Sequence, residues 1–312
     1  MYDLNYFLKT FSSITELSAV KAYLLFGKND KHRADKLAVD GMREALNQLS
    51  FQTRVIIGEG EKDQAPMLYE NEILGVGELL FDLAVDPLEC TTNFALGLPN
   101  SMSILAFAEK EKLQRVPGTY MEQWLAGPKM NQSFLLENSI KENITLLAET
   151  LNKDLNNLKI VTQNRPRHSD LIKELRELNV SISLVDSGSI SVALDIALEK
   201  GNYDAMIGTF GAPEGIVAAV IAKSTHSEFK ARLKPHTIET KQKWIDLGRK
   251  EQDILDKDDI IQGELFGFVG TGISYNSILT GIQNKEKKYT GQSLLLANNI
   301  CNITKFEVEY GS

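Results

Sequence analysis

The chain has 312 residues, of which 43% are hydrophobic and 24% charged, and it carries a net charge of −8. That length builds one large or two ordinary domains with ample core, and the composition is that of a globular protein with no partner nucleic acid, since the charge has the wrong sign for one. No apolar run approaches the roughly 18 residues of a membrane span. Cys90 and Cys301, the only two cysteines, are too few for a disulfide framework or a cysteine-based metal site. The start, Met1-Tyr2-Asp3-Leu4-Asn5, lacks the basic segment and apolar core of a secretion signal, so a cytoplasmic location without a membrane partner is expected.

In chain order, Leu4, Phe7, Leu8, Phe11 and Ile14 recur at helical spacing, as do Leu37, Met42, Ala45 and Leu46. The turn composition Gly27-Lys28-Asn29-Asp30 separates these two helices. Val55–Ile57, Phe81–Val85 and Ser101–Phe107 read as short buried strands, which makes the first half α+β. The rhythm then changes. Strands at Lys159–Thr162, Val180–Val185 and Ala205–Gly208 alternate with helices at Ser169–Leu178, Ile190–Leu198 and Gly215–Ala222. That spacing argues for parallel βαβ units. A boundary near residue 150, in the polar Lys153–Asn157 stretch, divides the chain into residues 1–150 and 151–312. Residues 228–262 are expected to form an exposed helical excursion, and Phe266–Val269 a strand entering the glycine turn Gly270-Thr271-Gly272.

The segment Asp82-Leu83-Ala84-Val85-Asp86-Pro87-Leu88-Glu89-Cys90-Thr91-Thr92-Asn93-Phe94 carries the most chemistry. An apolar strand runs into Asp86 and Glu89, and carboxylates there are unfavourable unless a cation or hydrogen bonds compensate them. The amides of a following helix start invite an anion. Metal and phosphate at one spot are the chemistry of a magnesium-dependent phosphatase. Further acidic candidates are Glu59, Glu61 and Asp63 after the Val55–Ile57 strand, Asp35 on the second helix, and Glu214 in Gly211-Ala212-Pro213-Glu214-Gly215. Oxygen donors of this kind suit Mg²⁺ or Mn²⁺ rather than zinc. Thr91 is either an N-cap or the hydroxyl that orients an attacking water, and both roles are compatible. Arg165, Arg167 and His168 form a cationic group for a phosphate that is not cleaved, with Pro166 fixing their loop. Tyr120 is either a phenolic donor to the same phosphate or a half-buried core residue. His32, His226 and His236 read as surface residues.

These pieces together resemble the class II fructose-1,6-bisphosphatases, within the lithium-sensitive sugar and inositol phosphatase superfamily. The resemblance rests on His32-Arg33-Ala34-Asp35, residues 57–68 from Ile57-Gly58-Glu59 to Pro66-Met67-Leu68, and Val85-Asp86-Pro87-Leu88-Glu89. Tyr120-Met121-Glu122, Arg165-Pro166-Arg167-His168 and Gly211-Ala212-Pro213-Glu214-Gly215 complete it. It implies a layered α/β/α/β/α sandwich assembled as a homodimer or homotetramer. It assigns Asp35 and Glu59 to one Mg²⁺ or Mn²⁺ ion, and Asp86, Glu89 and Glu214 to another. Asp63 would sit beside the attacking water, and Thr91 would help activate it. Glu89, Cys90 and Thr91 would surround the scissile phosphate. Tyr120, Arg165, Pro166, Arg167 and Gly211 would bind the rest of the sugar phosphate.

Two positions depart from the family. Cys90 stands where the family has glycine, and a side chain there costs about 1–2 kcal/mol if the backbone is left-handed. Ser187-Gly188-Ser189 stands where the family has Asp-Gly-Asp, replacing two carboxylates expected to grip sugar hydroxyls, with Asp186 one residue early. The implied activity is hydrolysis of the 1-phosphate of fructose 1,6-bisphosphate or sedoheptulose 1,7-bisphosphate. The two alternatives are a phosphatase for another sugar or inositol phosphate and a non-catalytic sugar-phosphate-binding paralogue.

Overall fold

The computed structural model describes residues 3–60 and 67–310. Helices α1 (Leu4–Tyr23) and α2 (Lys31–Asn47) lead into β1 (Gln52–Ile57), β2 (Ile73–Leu74), β3 (Leu79–Glu89), the short α3 (Thr91–Ala95) and β4 (Met102–Glu109). The middle of the chain supplies β5 (Tyr120–Ala126), α4 (Ile140–Leu151), β6 (Lys159–Gln163), α5 (Ser169–Glu177), β7 (Ser181–Val185), α6 (Ser189–Ala197) and β8 (Ala205–Gly211). It continues with α7 (Ala212–Thr225), β9 (Glu228–Lys234), α8 (Ile238–Asp246), β10 (Ile254–Asp256) and α9 (Lys257–Ile260). The last strands are β11 (Phe266–Gly272), β12 (Gln283–Lys285), β13 (Lys288–Ala297) and β14 (Ile300–Glu309). Among the described residues no helix is long and apolar enough to cross a membrane.

Two compact units result, Met1–Leu113 with Gln262–Ser312, and Gln114–Ile261. The division therefore does not fall near residue 150. Hydrogen bonding explains why: β11 pairs with β4 and so joins the last third of the chain to the first unit, whereas β5 pairs with β8 and β9 in the second.

In the first unit the sheet order is β12-β13-β11-β4-β3-β1-β2, with β14 on β13. Among the described residues only β1 and β3 are parallel to each other; the remaining pairs are antiparallel. Asp3 caps α1 by accepting from the Asn5 amide, and Asp30, the end of the predicted turn, caps α2 through the Arg33 amide. The helical stripe of α1 buries Phe7, Phe11 and Ile14 against the sheet. Its rings meet those of the strands, with centroids 4.7 Å apart for Phe7–Phe81 and 4.7 Å for Phe11–Phe107. Such aromatic contacts add to the burial of apolar area. The segment expected to turn at Gly270-Thr271-Gly272 continues as strand to its end, fully buried. A Cβ at Gly267 would meet the Phe107 ring at 2.8 Å, and one at Gly270 the Met102 methyl at 2.7 Å. These glycines make room for neighbouring side chains across the sheet rather than reversing the chain.

The second unit's sheet runs β10-β9-β5-β8-β6-β7. The predicted βαβ core is present, with β6 parallel to both β7 and β8, but β5, β9 and β10 join antiparallel, so the sheet is mixed. The helical excursion expected over 228–262 is instead strand, helix, strand and a short helix, β9, α8, β10 and α9. Phe229, Ala231 and Leu233 alternate inward along β9 between charged neighbours, a period of two that lysine and arginine obscure in the sequence.

One ion pair holds the edge of the first sheet. Arg54 Nε and Nη2 donate to the two oxygens of the buried Asp82 at 2.8 and 3.0 Å, and the Glu111 amide donates to Asp82 Oδ2 at 2.7 Å. Removing one partner leaves the other uncompensated. Asp82→Ala is therefore expected to lower stability by about 3–5 kcal/mol, read from the midpoint of urea denaturation.

Candidate active site

The first unit gathers carboxylates at strand ends. At the end of β3 the pairing with β4 slips: Asp86 lies opposite Ile104, yet Glu89 lies opposite Met102. Three steps on one strand face two on the other, a bulge at Pro87-Leu88 where proline has no amide to lose. The bulge leaves Asp86 half-buried and Glu89 buried. The Leu88 amide donates to Asp86 Oδ1 at 3.0 Å and fixes that carboxylate. Ser18 on α1 donates to Ala38 O on α2 (2.9 Å) and lies 3.3 Å from Pro87 O, tying both helices to the bulge. Asp35 projects from α2 and Glu59 follows β1, both half-buried. The charges meet at Glu59, whose carboxyl is pushed from 4.5 up to about 8 by burial and by the charges of Asp35 and Asp86. Burial raises Asp35 as well, partly offset by His32. Among the described residues, no three His, Cys, Asp or Glu side chains stand ready to hold a metal. The donor set nevertheless fits a hard divalent cation, because its groups are carboxylate oxygens, and burial with the charges of Asp35 and Asp86 makes a negative Glu59 unfavourable without added positive charge. Glu61 and Asp63 lie outside the described residues.

Immediately after Glu89 the backbone turns left-handed, with Cys90 buried at φ 66° and ψ 43°. The Phe94 amide donates to Cys90 O at 3.1 Å and starts α3. Thr91 does not cap that helix; its hydroxyl donates to Leu88 O at 3.0 Å, which leaves its oxygen as an acceptor beside Glu89. Lys31, at the start of α2, donates to Thr92 Oγ1 at 3.1 Å.

The second unit collects a different group at one edge of its sheet, at the carboxyl ends of β6, β7 and β8, where ligands sit in such sheets. Arg165 Nη2 donates to Asp186 O at 2.7 Å. Arg167 donates from Nε to Thr209 O (2.7 Å) and from Nη2 to Gln163 Oε1 (2.8 Å). Both guanidinium groups are exposed but held. The Arg167 guanidinium carbon lies 4.7 Å from the centre of the Tyr120 ring. That ring is 38% exposed, so Tyr120 is a surface platform and not a core residue. Tyr120 pairs with Gly211 across β5 and β8. A Cβ at Gly211 would collide with the Glu214 carboxylate, so the glycine makes the space that this carboxylate fills. Burial also raises the Glu214 carboxyl above its ordinary range. Ser187 is half-buried, Gly188 takes φ 86°, and Ser189 begins α6 buried. Asp186 is exposed, with Oδ1 3.5 Å from Asn164 Nδ2.

The family model described as bacterial fructose-1,6-bisphosphatase, glpX-encoded, matches residues 5–309. The chain belongs to this family. A D-fructose 1,6-bisphosphatase class 2/sedoheptulose 1,7-bisphosphatase of Thermosynechococcus vestitus is 33% identical to it, over 91% of this chain and 90% of that protein. The fructose-1,6-bisphosphatase class 2 of Haemophilus influenzae is 32% identical, over 95% and 93%. Among solved structures, inositol monophosphatase from Anabaena (Nostoc) sp. PCC 7120 aligns with a TM-score of 0.33 at 14% identity, over 62% of this chain and 72% of that one, too slight to carry an argument. The chain is thus a phosphoric monoester hydrolase of the class 2 fructose-bisphosphatase family, and membership implies dependence on a divalent metal.

Within this bisphosphatase-family chain, His168 leaves the cationic group to which the sequence assigned it. It is buried, Nδ1 lies 2.7 Å from Gln163 O, and Nε2 accepts from the Thr209 amide at 2.8 Å. Burial lowers its pKa, so it is a neutral bracket between β6 and β8 rather than a phosphate ligand. His236, read from the sequence as a surface residue, is exposed and adjoins Tyr120, as does Thr119, which the sequence did not single out. The signal was the alternation of β9, which sets His236 two residues past the strand's end.

The sign of the Glu59 shift sets a pH dependence. A carboxyl held above its unfolded value binds an extra proton when folded, so stability falls as pH rises from about 4.5 to about 8. In chelator-treated protein, melting temperature should fall across that window, and Glu59→Gln or added Mg²⁺ should flatten the slope. At Cys90 the left-handed backbone strains any side chain, so Cys90→Gly should raise stability by about 1 kcal/mol, measured by urea denaturation.

Proposed function

We propose that this chain hydrolyses the 1-phosphate of fructose 1,6-bisphosphate, and also of sedoheptulose 1,7-bisphosphate, in central carbon metabolism with a gluconeogenic role. The observation that carries the reading is the gathering of Asp35 and Asp86 around Glu59, whose carboxyl is pushed up to about 8 by burial and by those two charges, in a chain of this family. Asp35, Glu59, Asp86 and Glu89 are the residues that would hold Mg²⁺ or Mn²⁺, with Glu214 assigned to the same set by the family resemblance. When bound, such ions polarise phosphoryl oxygens and lower the pKa of water. Thr91, its proton committed to Leu88 O, offers an oxygen that accepts from and orients the attacking water. Glu89 and the backbone at Cys90 border the scissile phosphate, and Asp63 is the candidate neighbour of the water. Catalysis then rests on positioning and on fixed charge.

Tyr120, Arg165 and Arg167 would take the phosphate that stays on the sugar. The guanidinium groups match phosphate oxygens, and their bonds to main-chain carbonyls hold them in place before substrate arrives. Pro166, Ser187, Gly188, Ser189 and Gly211 would line the sugar. The enzyme would work in the cytoplasm as a homodimer or homotetramer. A second reading, a phosphatase for another sugar or inositol phosphate, is favoured by Ser187 and Ser189, neutral where the family pattern has carboxylates.

A phosphate-release assay over sugar bisphosphates and monophosphates with Mg²⁺ and Mn²⁺ tests both readings. The bisphosphates are expected to rank first, and a monophosphate far ahead of them would select the second reading. Asp86→Asn should reduce metal-dependent turnover by a factor of about 100 or more with an unchanged melting curve; undiminished turnover would remove Asp86 from the site.

A further inference from the structure

His236 lies just beyond β9, on the edge of the second sheet that carries Tyr120, and three observations set it apart from an ordinary surface histidine. Its ring centre is 5.4 Å from that of Tyr120, whose ring also lies against Arg167. Its Nδ1 lies 2.7 Å from Thr119 Oγ1. Its backbone amide donates to that same oxygen at 3.2 Å. Thr119 is itself fixed, because its carbonyl accepts from the Ala212 amide at 2.8 Å, at the start of α7 beside Gly211. The Thr119 hydroxyl has one proton and two candidate acceptors, His236 Nδ1 at 2.7 Å and Lys234 O at 3.3 Å. With Nδ1 engaged by Thr119, Nε2 is the ring nitrogen left to meet a phosphate oxygen, and it donates whenever it carries a proton.

The neighbouring cations are committed elsewhere. Lys234 pairs with Glu122 at 3.1 Å, and Arg232 approaches the same carboxylate at 3.4 Å. Arg167 already spends Nε and Nη2 on Thr209 O and Gln163 Oε1. His236 is exposed and oriented through Nδ1 by Thr119, so it adds a further polar group to those of the Tyr120–Arg167 pair.

We infer that His236 is a further substrate-binding residue, gripping the distal phosphate of the sugar bisphosphate beside Tyr120 and Arg167. The inference rests on the reading that this edge receives the uncleaved phosphate. Binding is therefore measured apart from turnover, by titration calorimetry with fructose 6-phosphate, which carries the distal phosphate, and fructose 1-phosphate, which lacks it. His236→Ala should weaken fructose 6-phosphate binding on the order of tenfold, with a much smaller effect on fructose 1-phosphate. His236→Gln, which keeps a side-chain N–H, should recover part of the loss. In turnover, His236→Ala should raise KM for fructose 1,6-bisphosphate far more than it lowers kcat. Equal weakening of both monophosphates, or none, overturns the inference, and melting curves of both variants exclude misfolding as the cause. A wild-type chain that binds fructose 6-phosphate but cleaves no bisphosphate overturns the proposed activity alone, and the two variants still decide the role of His236 by binding.

Discussion

Negative charge held at the ends of buried strands is the constraint on which the first unit is organised. Asp35, Glu59 and Asp86 come from a helix, a post-strand loop and a strand bulge, yet burial and the charges of Asp35 and Asp86 together push the Glu59 carboxyl up to about 8. Desolvated like charges oppose folding unless a proton or a cation neutralises them. A fold that retains them gives up stability, as functional clusters of perturbed carboxyls commonly do. The surrounding scaffold is correspondingly stiff: Ser18 bridges both helices to the bulge, and the Leu88 amide pins Asp86.

The second unit solves the opposite problem. Its cations are exposed, so there is little desolvation to overcome, and order comes from hydrogen bonds to main-chain carbonyls at the carboxyl ends of the parallel strands. Tyr120 gives Arg167 a flat face, and the guanidinium lies where a cation is attracted to the ring. His168 shows how burial decides chemistry here. One residue from Arg167 in sequence, it is neutral and structural because it lies beneath the loop rather than on it.

Much of this was legible in the sequence. Both N-terminal helices, the strand leading to Asp86, and the β6–α5–β7–α6–β8–α7 succession follow from periodicities of 3.6 and 2 and from turn residues, which act locally. The carboxylates of interest were visible because acidic residues at the ends of apolar strands are unusual. What stayed hidden was non-local. Lysine and arginine masked the alternation of β9, whose aliphatic stems and neighbours fill the sheet. Nothing near residue 113 or 261 in composition marks the crossing between units, because strand pairing rather than linker chemistry sets it.

Cys90 and the glycines of β11 show where the division lies. Residue type alone established that a side chain at position 90 would be strained if the backbone were left-handed, and that Gly270-Thr271-Gly272 was conformationally permissive. Only the folded chain decided that φ at Cys90 is 66°, and that β11 runs straight through its glycines to pack against Phe107 and Met102. The amino-acid sequence by itself determined the family, the helices, the acidic residues and the arginine loop, because these depend on short-range pattern and on side-chain chemistry. Tertiary structure decided which carboxylates repel one another, which histidine is buried and which stands beside Tyr120, because burial and charge interaction depend on distances between residues far apart in the chain.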